Sequence, residues 1–487
     1  MTHMHVAGSI HADATSPAPQ WLTRPDDVNA LTKALWSMNA RRNDAGEVEI
    51  AGRTAASIVD EVGSPVYVID AADFRARARR WREAFGDWQV FYAGKSFLCT
   101  TVARWISEEG LGLDVCSGGE LAVALRGGMD PARIGLHGNN KSDEELRAAL
   151  LAGVGRIIVD SSHEISRLER LCAELGTVAE VMIRVTTGVE AHTHEYIATA
   201  HEDQKFGFSI NGGAALVALV RSHHSPHLHL RGVHSHIGSQ IFDTNGFEVA
   251  ARRTLKLIAQ FKEATGTELG ELDLGGGFGI SYIKEDTPAT PEELAAGLRA
   301  IVEHECRGFG LRVPTMSVEP GRAICGPAGT ALYTVGTVKT VEIGGGHARR
   351  YISVDGGMSD NIRPALYAAE YSATLANRAS AAGPVLARVV GKHCEGGDIL
   401  VRDEFLPDDV EPGDLIAVPA SGAYSRSMAS NYNHVPRPPV VAVADGRITT
   451  LLRRETLDDL LALDVGAWER DPATTETLRQ PRNGEMR

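Results

Sequence analysis

The chain has 487 residues, 43% hydrophobic and 23% charged, the balance of a globular enzyme with room for two or more domains, one of them a large barrel. Its formal net charge of −14, from 49 basic and 63 acidic residues, argues against nucleic acid or an anionic membrane as the main partner, and leaves small anionic substrates open. The six cysteines show no CxxC pair and no zinc spacing, no apolar run is long enough to span a bilayer, and the first residues lack the basic patch and apolar core of a signal peptide, so a cytoplasmic protein with reduced thiols is expected.

In chain order, residues 1–29 are rich in Ala, Ser, Pro and His and read as a loose leader. Residues 30–70 contain a short strand at 47–50 and a helix at 54–62, and are expected to pack with a β-rich domain later in the chain. From 71 to 327, apolar β-branched runs at 90–93, 111–115, 134–136, 156–159, 181–185, 230–234, 272–274 and 316–318 alternate with helical spacing, as at 99–109, 119–125, 143–151 and 247–262. Strands followed by crossover helices predict a parallel (β/α)8 barrel, an α/β fold. After about residue 327 short strands and turns take over, at 332–338, 350–354, 387–390, 414–418 and 440–443. They predict a C-terminal β-rich domain, sandwich- or barrel-like, over 328–466. Residues 467–487 read as a polar tail.

Barrels of this type carry their chemistry at the C-terminal strand ends, and here those ends are chemically loaded. The first strand, Val90-Phe91-Tyr92-Ala93-Gly94-Lys95, ends in an amine. Burial is expected to lower the pKa of Lys95 and free its neutral form to attack a carbonyl; the competing reading is a snorkelling lysine with a solvated head. The second strand ends in Asp114, Cys116 and Ser117-Gly118-Gly119-Glu120, and the third in His137-Gly138-Asn139-Asn140-Lys141. The sixth ends in His234-Ser235-His236-Ile237-Gly238-Ser239-Gln240, the seventh in Gly275-Gly276-Gly277, and the eighth in Glu319-Pro320-Gly321-Arg322. The glycines are either a plain turn or a backbone cradle for phosphate, to which Ser239 adds a hydroxyl. His234 and His236 suit zinc as a pair, but no obvious third and fourth ligands converge, and His236 is better used flat against an aromatic cofactor ring. Glu319 is either paired with Arg322 or set against a pyridine nitrogen, where it keeps that nitrogen protonated and the ring electron-poor. Amine, phosphate cradle, imidazole and carboxylate together describe a pyridoxal phosphate site, with no metal expected.

Three segments of the β-rich domain are more polar than a structural role requires: 360–367, 392–398 and 422–424. Cys394, beside Glu395 in a glycine-rich loop, reads as an exposed acid able to protonate a carbanion.

On these residues the chain resembles diaminopimelate decarboxylase, of the alanine-racemase-like (fold type III) pyridoxal phosphate enzymes, from about residue 50 to 463. The resemblance implies that Lys95 carries pyridoxal 5′-phosphate as a Schiff base and that His236 stacks on its ring. Ser239, Gly277, Glu319, Pro320, Gly321 and Arg322 would hold the cofactor, and Tyr424 would reach both cofactor and substrate. Arg322, Arg363, Tyr367 and Glu395 would bind the substrate, with Glu395 on its distal amine, and Cys394 would be the proton donor. It further implies a homodimer in which Cys394 and Glu395 reach the partner's barrel, so that active sites are shared. The expected reaction converts meso-2,6-diaminopimelate to L-lysine and CO2, the last step of lysine biosynthesis; the alternative is a closely related diamino acid in a specialised pathway. Arg363 would repel a substrate whose distal end is only a cation. Racemases of this fold type place arginine at the pyridine nitrogen, and Glu319 argues against one. Gly94 and Ser96 flank the lysine where alanine is common in relatives, and Ser425-Arg426 after Tyr424 is less familiar.

Overall fold

The computed structural model describes residues 18–189, 205–344 and 347–468. Most of the expected leader and the tail from 469 lie outside the described residues.

Eight parallel strands close on themselves in sequence order: Gln89–Ala93, Gly112–Val115, Ile134–Leu136, Arg156–Val159, Ala179–Thr186, Leu228–Ser235, Glu271–Asp273 and Thr315–Val318. Closure is made where the eighth meets the first, with Ser317 opposite Gln89 and Val318 opposite Val90. Every expected barrel strand is present. The fifth and sixth extend further than their apolar cores suggested, by Ala179, Glu180 and Thr186 on one and by Leu228, His229 and Ser235 on the other.

Four of the crossover helices begin where serine or threonine caps the first free amides. Ser117, Ser142, Ser161 and Thr290 each accept an amide three residues on, Ser142 and Thr290 within full capping boxes. Several end on left-handed glycines, at Gly153, Gly176, Gly266 and Gly310. The helix Asn245–Thr265 buries Phe247, Ala250, Ala251, Thr254, Leu255, Ile258 and Phe261, a stripe of helical period laid on the barrel wall.

The barrel interior is polar towards the strand beginnings. Arg156 Nη1 lies 3.1 Å from Ser317 Oγ and 3.4 Å from Asp273 Oδ2, with its guanidinium 4.3 Å from the centre of the Phe91 ring. A buried arginine with these partners is compensated, not stranded.

The β-rich unit is built on the strand Gly329–Gly344. Its first half pairs antiparallel with Val66–Asp70 and with Leu415–Val418, its second half with His347–Val354. Pro384–Val390 and Ile399–Pro407 extend one side, and Val440–Ala444 and Arg447–Leu452 the other. The strand expected at 47–50 does not enter this sheet. Val48–Ile50 forms a small sheet with Ala40–Arg42 and Arg53–Thr54, and reaches the β-rich unit through a Val48 amide bond to the Ala376 carbonyl (2.8 Å) and through packing against Leu332, Leu415 and Val441. The segment that does join the sheet is Val66–Asp70, five consecutive buried residues.

Candidate active site at the C-terminal end of the barrel

Lys95 sits two residues past the first barrel strand, in a short 3-10 turn that lifts its side chain into the barrel mouth. It lines two adjoining cavities, of about 270 and about 40 Å3, which share Ala93, Lys95, His236 and Glu319. The larger runs towards Asp114, Cys116, His137 and Arg184; the smaller runs towards Ser239, Gly276, Gly277, Arg322 and Tyr424. A roomier depression of about 600 Å3 opens at the opposite end of the barrel, near Trp88, Gln89 and Arg156, and its described lining holds no lysine, histidine or cysteine.

The amine does not titrate as expected. Lys95 is surrounded by protein yet faces open cavity, and burial does lower its pKa; the Tyr424 hydroxyl, Cys116 thiol and Glu319 carboxyl outweigh that, and the net shift is upward. Burial alone gives the opposite sign; the acidic groups that reverse it reach Lys95 from segments far away in sequence. Cys116 is pushed up to about 12, chiefly by burial, and so faces the cavity as a neutral thiol.

Glu319 directly follows the eighth strand and points across the barrel. Its Oε1 lies 2.9 Å from His234 Nε2 and 3.4 Å from His137 Nε2, and His137 Nε2 lies 3.2 Å from Asp114 Oδ1. None of these approaches has hydrogen-bond geometry, which leaves Glu319 Oε1 buried and without a donor. Burial, then Asp114, raise Glu319 to about 7, against the pull of His137, Lys95 and Arg184. Glu319 is therefore not the ion-pair partner of Arg322. His137 is the third ligand-type side chain that the sequence did not reveal: with His234 and Glu319 it places three donor atoms within 4.8 Å of one another. Burial lowers both histidines to about 3, so they line the floor as neutral rings.

At the other end, Gly277 has φ +100°, and a Cβ there would fall against the Gly238 carbonyl; a Cβ on Gly276 would fall against the Glu319 carbonyl. The backbone packs closely only because side chains are absent. Ser239 Oγ accepts from Arg322 Nη2 at 2.7 Å, and Tyr282 Oη accepts from Arg322 Nη1 at 2.6 Å. The Gly276 amide donates to His236 Nδ1 at 3.3 Å, and burial, then Lys95, hold the His236 ring neutral. An orphaned buried carboxylate, an amine, a flat neutral imidazole, and a glycine-lined end with hydroxyl and guanidinium donors fit pyridoxal phosphate at its nitrogen, aldehyde, ring face and phosphate.

Tyr424 comes from the β-rich unit in a left-handed conformation (φ 59°), its amide bonded to the Ser96 carbonyl at 2.8 Å and its ring 4.7 Å from the Arg322 guanidinium carbon. Ser96 also receives the Ser427 hydroxyl on its carbonyl (3.0 Å) and donates its own to the Ala93 carbonyl (2.8 Å). Arg363 is buried in the short helix Arg363–Tyr367, its guanidinium carbon 4.6 Å from the centre of the Tyr282 ring. Pro320 and Gly321 carry the chain from Glu319 to Arg322, and the Pro320 carbonyl accepts the Ala93 amide (3.4 Å). Tyr367 is half-buried at the end of its helix and lines neither cavity. Cys394 and Glu395 are exposed on the 391–398 loop and likewise line neither.

Arg184 was missed. It is buried, lines the cavity, lies over the Phe206 ring at 4.4 Å, and has its Nε 3.9 Å from Asp160 Oδ2. A guanidinium inside the apolar run Val181-Met182-Ile183-Arg184-Val185 was the available signal.

The pyridoxal-dependent decarboxylase, pyridoxal binding domain family matches residues 71–326. The diaminopimelate decarboxylase of Mycobacterium leprae is 53% identical over 95% of this chain and all of its own length. That of Mycobacterium tuberculosis H37Rv is 56% identical over 89% of this chain and 98% of its own. The chain belongs to the diaminopimelate decarboxylase family. A diaminopimelate decarboxylase structure from M. jannaschii, solved in complex with L-lysine, has a TM-score of 0.82 at 30% identity and covers 88% of this chain and 98% of its own. The barrel and β-rich unit described above thus have a close counterpart among the diaminopimelate decarboxylases.

Proposed function

We propose that this chain decarboxylates meso-2,6-diaminopimelate to L-lysine and CO2, the last step of lysine biosynthesis, using pyridoxal 5′-phosphate bound at the barrel mouth. The observation that carries the reading is the shared cavity in which Lys95, His236 and Glu319 face one another beside the Ser239, Gly277 and Arg322 cradle. When bound, pyridoxal phosphate supplies an aldehyde that links covalently to an amine and a ring that accepts the electron pair left by departing CO2.

The chain's own residues do the rest. Lys95 would hold the cofactor through its amine. Glu319 would stand at the ring nitrogen and favour its protonated form. His236, held neutral by burial, would lie against the ring. Ser239, Gly276, Gly277 and Arg322 would hold the phosphate. Two buried guanidiniums, Arg322 and Arg363, meet no carboxylate within ion-pair distance among the described residues, and they suit the carboxylate at the unreacted end of the substrate. Tyr424 borders that end, its ring 4.7 Å from the Arg322 guanidinium carbon, and Tyr367 is assigned to the substrate although it lines neither cavity.

Cys394 and Glu395 are assigned to the partner's site in a homodimer, Cys394 to protonate the substrate carbon and Glu395 to pair with the distal ammonium. Their exposure on a loop outside their own barrel's cavity supports this. Hydrogen bonds at its base hold the loop in shape. Asp398 accepts the Met358 amide (2.5 Å) and the His393 amide (2.7 Å), and the His393 ring is 2.8 Å from Ser359 Oγ. We place the enzyme in the cytoplasm, a reading supported by the six cysteines standing as free thiols. Among the described residues no helix is long and apolar enough to cross a membrane.

The test is CO2 release from meso-diaminopimelate by the purified, cofactor-loaded protein. Lys95→Ala should abolish turnover and the covalent cofactor absorbance together. Full activity in that variant would refute the assignment.

A further inference from the structure

Tyr282 lies between the two guanidiniums assigned to the substrate carboxylate. It follows the glycine triplet, and its side chain is 5% exposed. Its hydroxyl holds Arg322 at 2.6 Å, while its ring faces the guanidinium of Arg363 at 4.6 Å. Tyr371 meets the same ring edge-on, with centroids 5.0 Å apart, and its own hydroxyl accepts from Arg363. The backbone beneath is fixed: Asp286 Oδ2 accepts the amides of Tyr282 and Ile283 at 2.8 and 3.2 Å, and the Gln240 side chain bonds both the amide and the carbonyl of Ile280. Two buried cations flanking one aromatic ring are costly unless an anion joins them, and a π-face on one with a hydroxyl on the other lowers that cost meanwhile.

We infer that Tyr282 is a positioning residue that sets specificity for the substrate's distal carboxylate, by aligning Arg322 through its hydroxyl and Arg363 through its ring so that one carboxylate is gripped by both. This deepens the reading above and rests on it. A ligand without that carboxylate gains nothing from the alignment. L-lysine and cadaverine (1,5-diaminopentane) differ by that carboxylate alone.

Competitive inhibition of the holoenzyme by the two compounds is the test, with equilibrium dialysis of L-lysine as a readout independent of turnover. The wild type should bind L-lysine at least about tenfold more tightly than cadaverine. Tyr282→Phe keeps the ring and loses the hydroxyl. It should weaken L-lysine and raise KM for meso-diaminopimelate by about tenfold, with kcat within about twofold and cadaverine unchanged. Tyr282→Leu should erase the preference. A wild type that does not prefer L-lysine sinks the carboxylate reading of Arg322 and Arg363, and the inference with it. A wild type that prefers L-lysine alongside variants that keep the preference overturns the inference alone. So do variants that lose both ligands equally or shed the cofactor, because that is the signature of a merely structural tyrosine.

Discussion

Glu319 and the two histidines beside it set the electrostatic character of the site. The carboxyl is raised by burial and Asp114 from an ordinary 4.5 to about 7, whereas burial lowers His137 and His234 from 6.5 to about 3. Between about pH 4.5 and 6.5 the unfolded chain protonates both histidines, and the folded chain protonates neither. In the same window the folded chain keeps a proton on Glu319 that the unfolded chain has released. The histidines therefore add stability as pH rises, Glu319 subtracts it, and for these three groups the histidines prevail by about one proton. Replacing His137 with Asn removes one of the protons taken up on unfolding. Resistance to urea should gain less in His137→Asn than in the wild type between about pH 5 and about pH 6.5, by up to about 1.4 kcal/mol per pH unit. Equal gains, followed by tryptophan fluorescence across a urea series, would show that His137 is not buried neutral. In the sequence His137 was one polar residue in a polar strand-end run; its contact with Glu319 exists only because the third and eighth strands lie across the barrel from each other.

Among the elements, the glycine triplet and the loop that follows it connect the proposed cofactor end to the proposed substrate end. Gly275 and Gly277 have φ of +74° and +100°, and a Cβ on Gly277 would fall against the Gly238 carbonyl. Gly277→Ala should therefore cost about 1–3 kcal/mol of local strain and loosen the phosphate cradle. In dialysis against buffer lacking the cofactor, the variant should release pyridoxal phosphate about tenfold or more faster than the wild type; an unchanged rate would separate the triplet from cofactor binding. The close backbone approach at the triplet was legible because three consecutive glycines leave no Cβ to prevent it. Tyr282, five residues on, was not, because an aromatic in a loop declares nothing until Arg322 and Arg363 arrive from other parts of the chain. The strand Ile399–Pro407 was hidden for a related reason. Its centre, Arg402-Asp403-Glu404, breaks the apolar alternation, and Asp403 is buried there only because Arg349 lies 2.6 Å away and Arg388 3.6 Å away on other strands.

At the scale of the molecule, the eight-strand rhythm was enough to predict a closed barrel, since parallel strands with short crossovers have few other ways to bury both faces. The placement of Cys394, which we propose as the proton donor, was not legible in the same way, because it lies far along the chain on a loop that lines neither cavity of its own barrel. If that loop serves a second copy, each site is made of two chains, and that arrangement has a quantitative consequence. Lys95→Ala and Cys394→Ala should each be nearly inactive as homodimers. In a dimer of one of each, the barrel of the Cys394→Ala chain keeps its lysine and receives an intact Cys394 from the other chain, so one site of the two is whole. Random reassortment makes half the dimers mixed, so the mixture should recover about a quarter of the wild-type rate. Co-expression from differently tagged copies, followed by turnover of the mixed species alone, measures this without relying on exchange. If Cys394 acted within its own barrel, no dimer in the mixture would hold a complete site, and the activity would stay at the sum of the two variants.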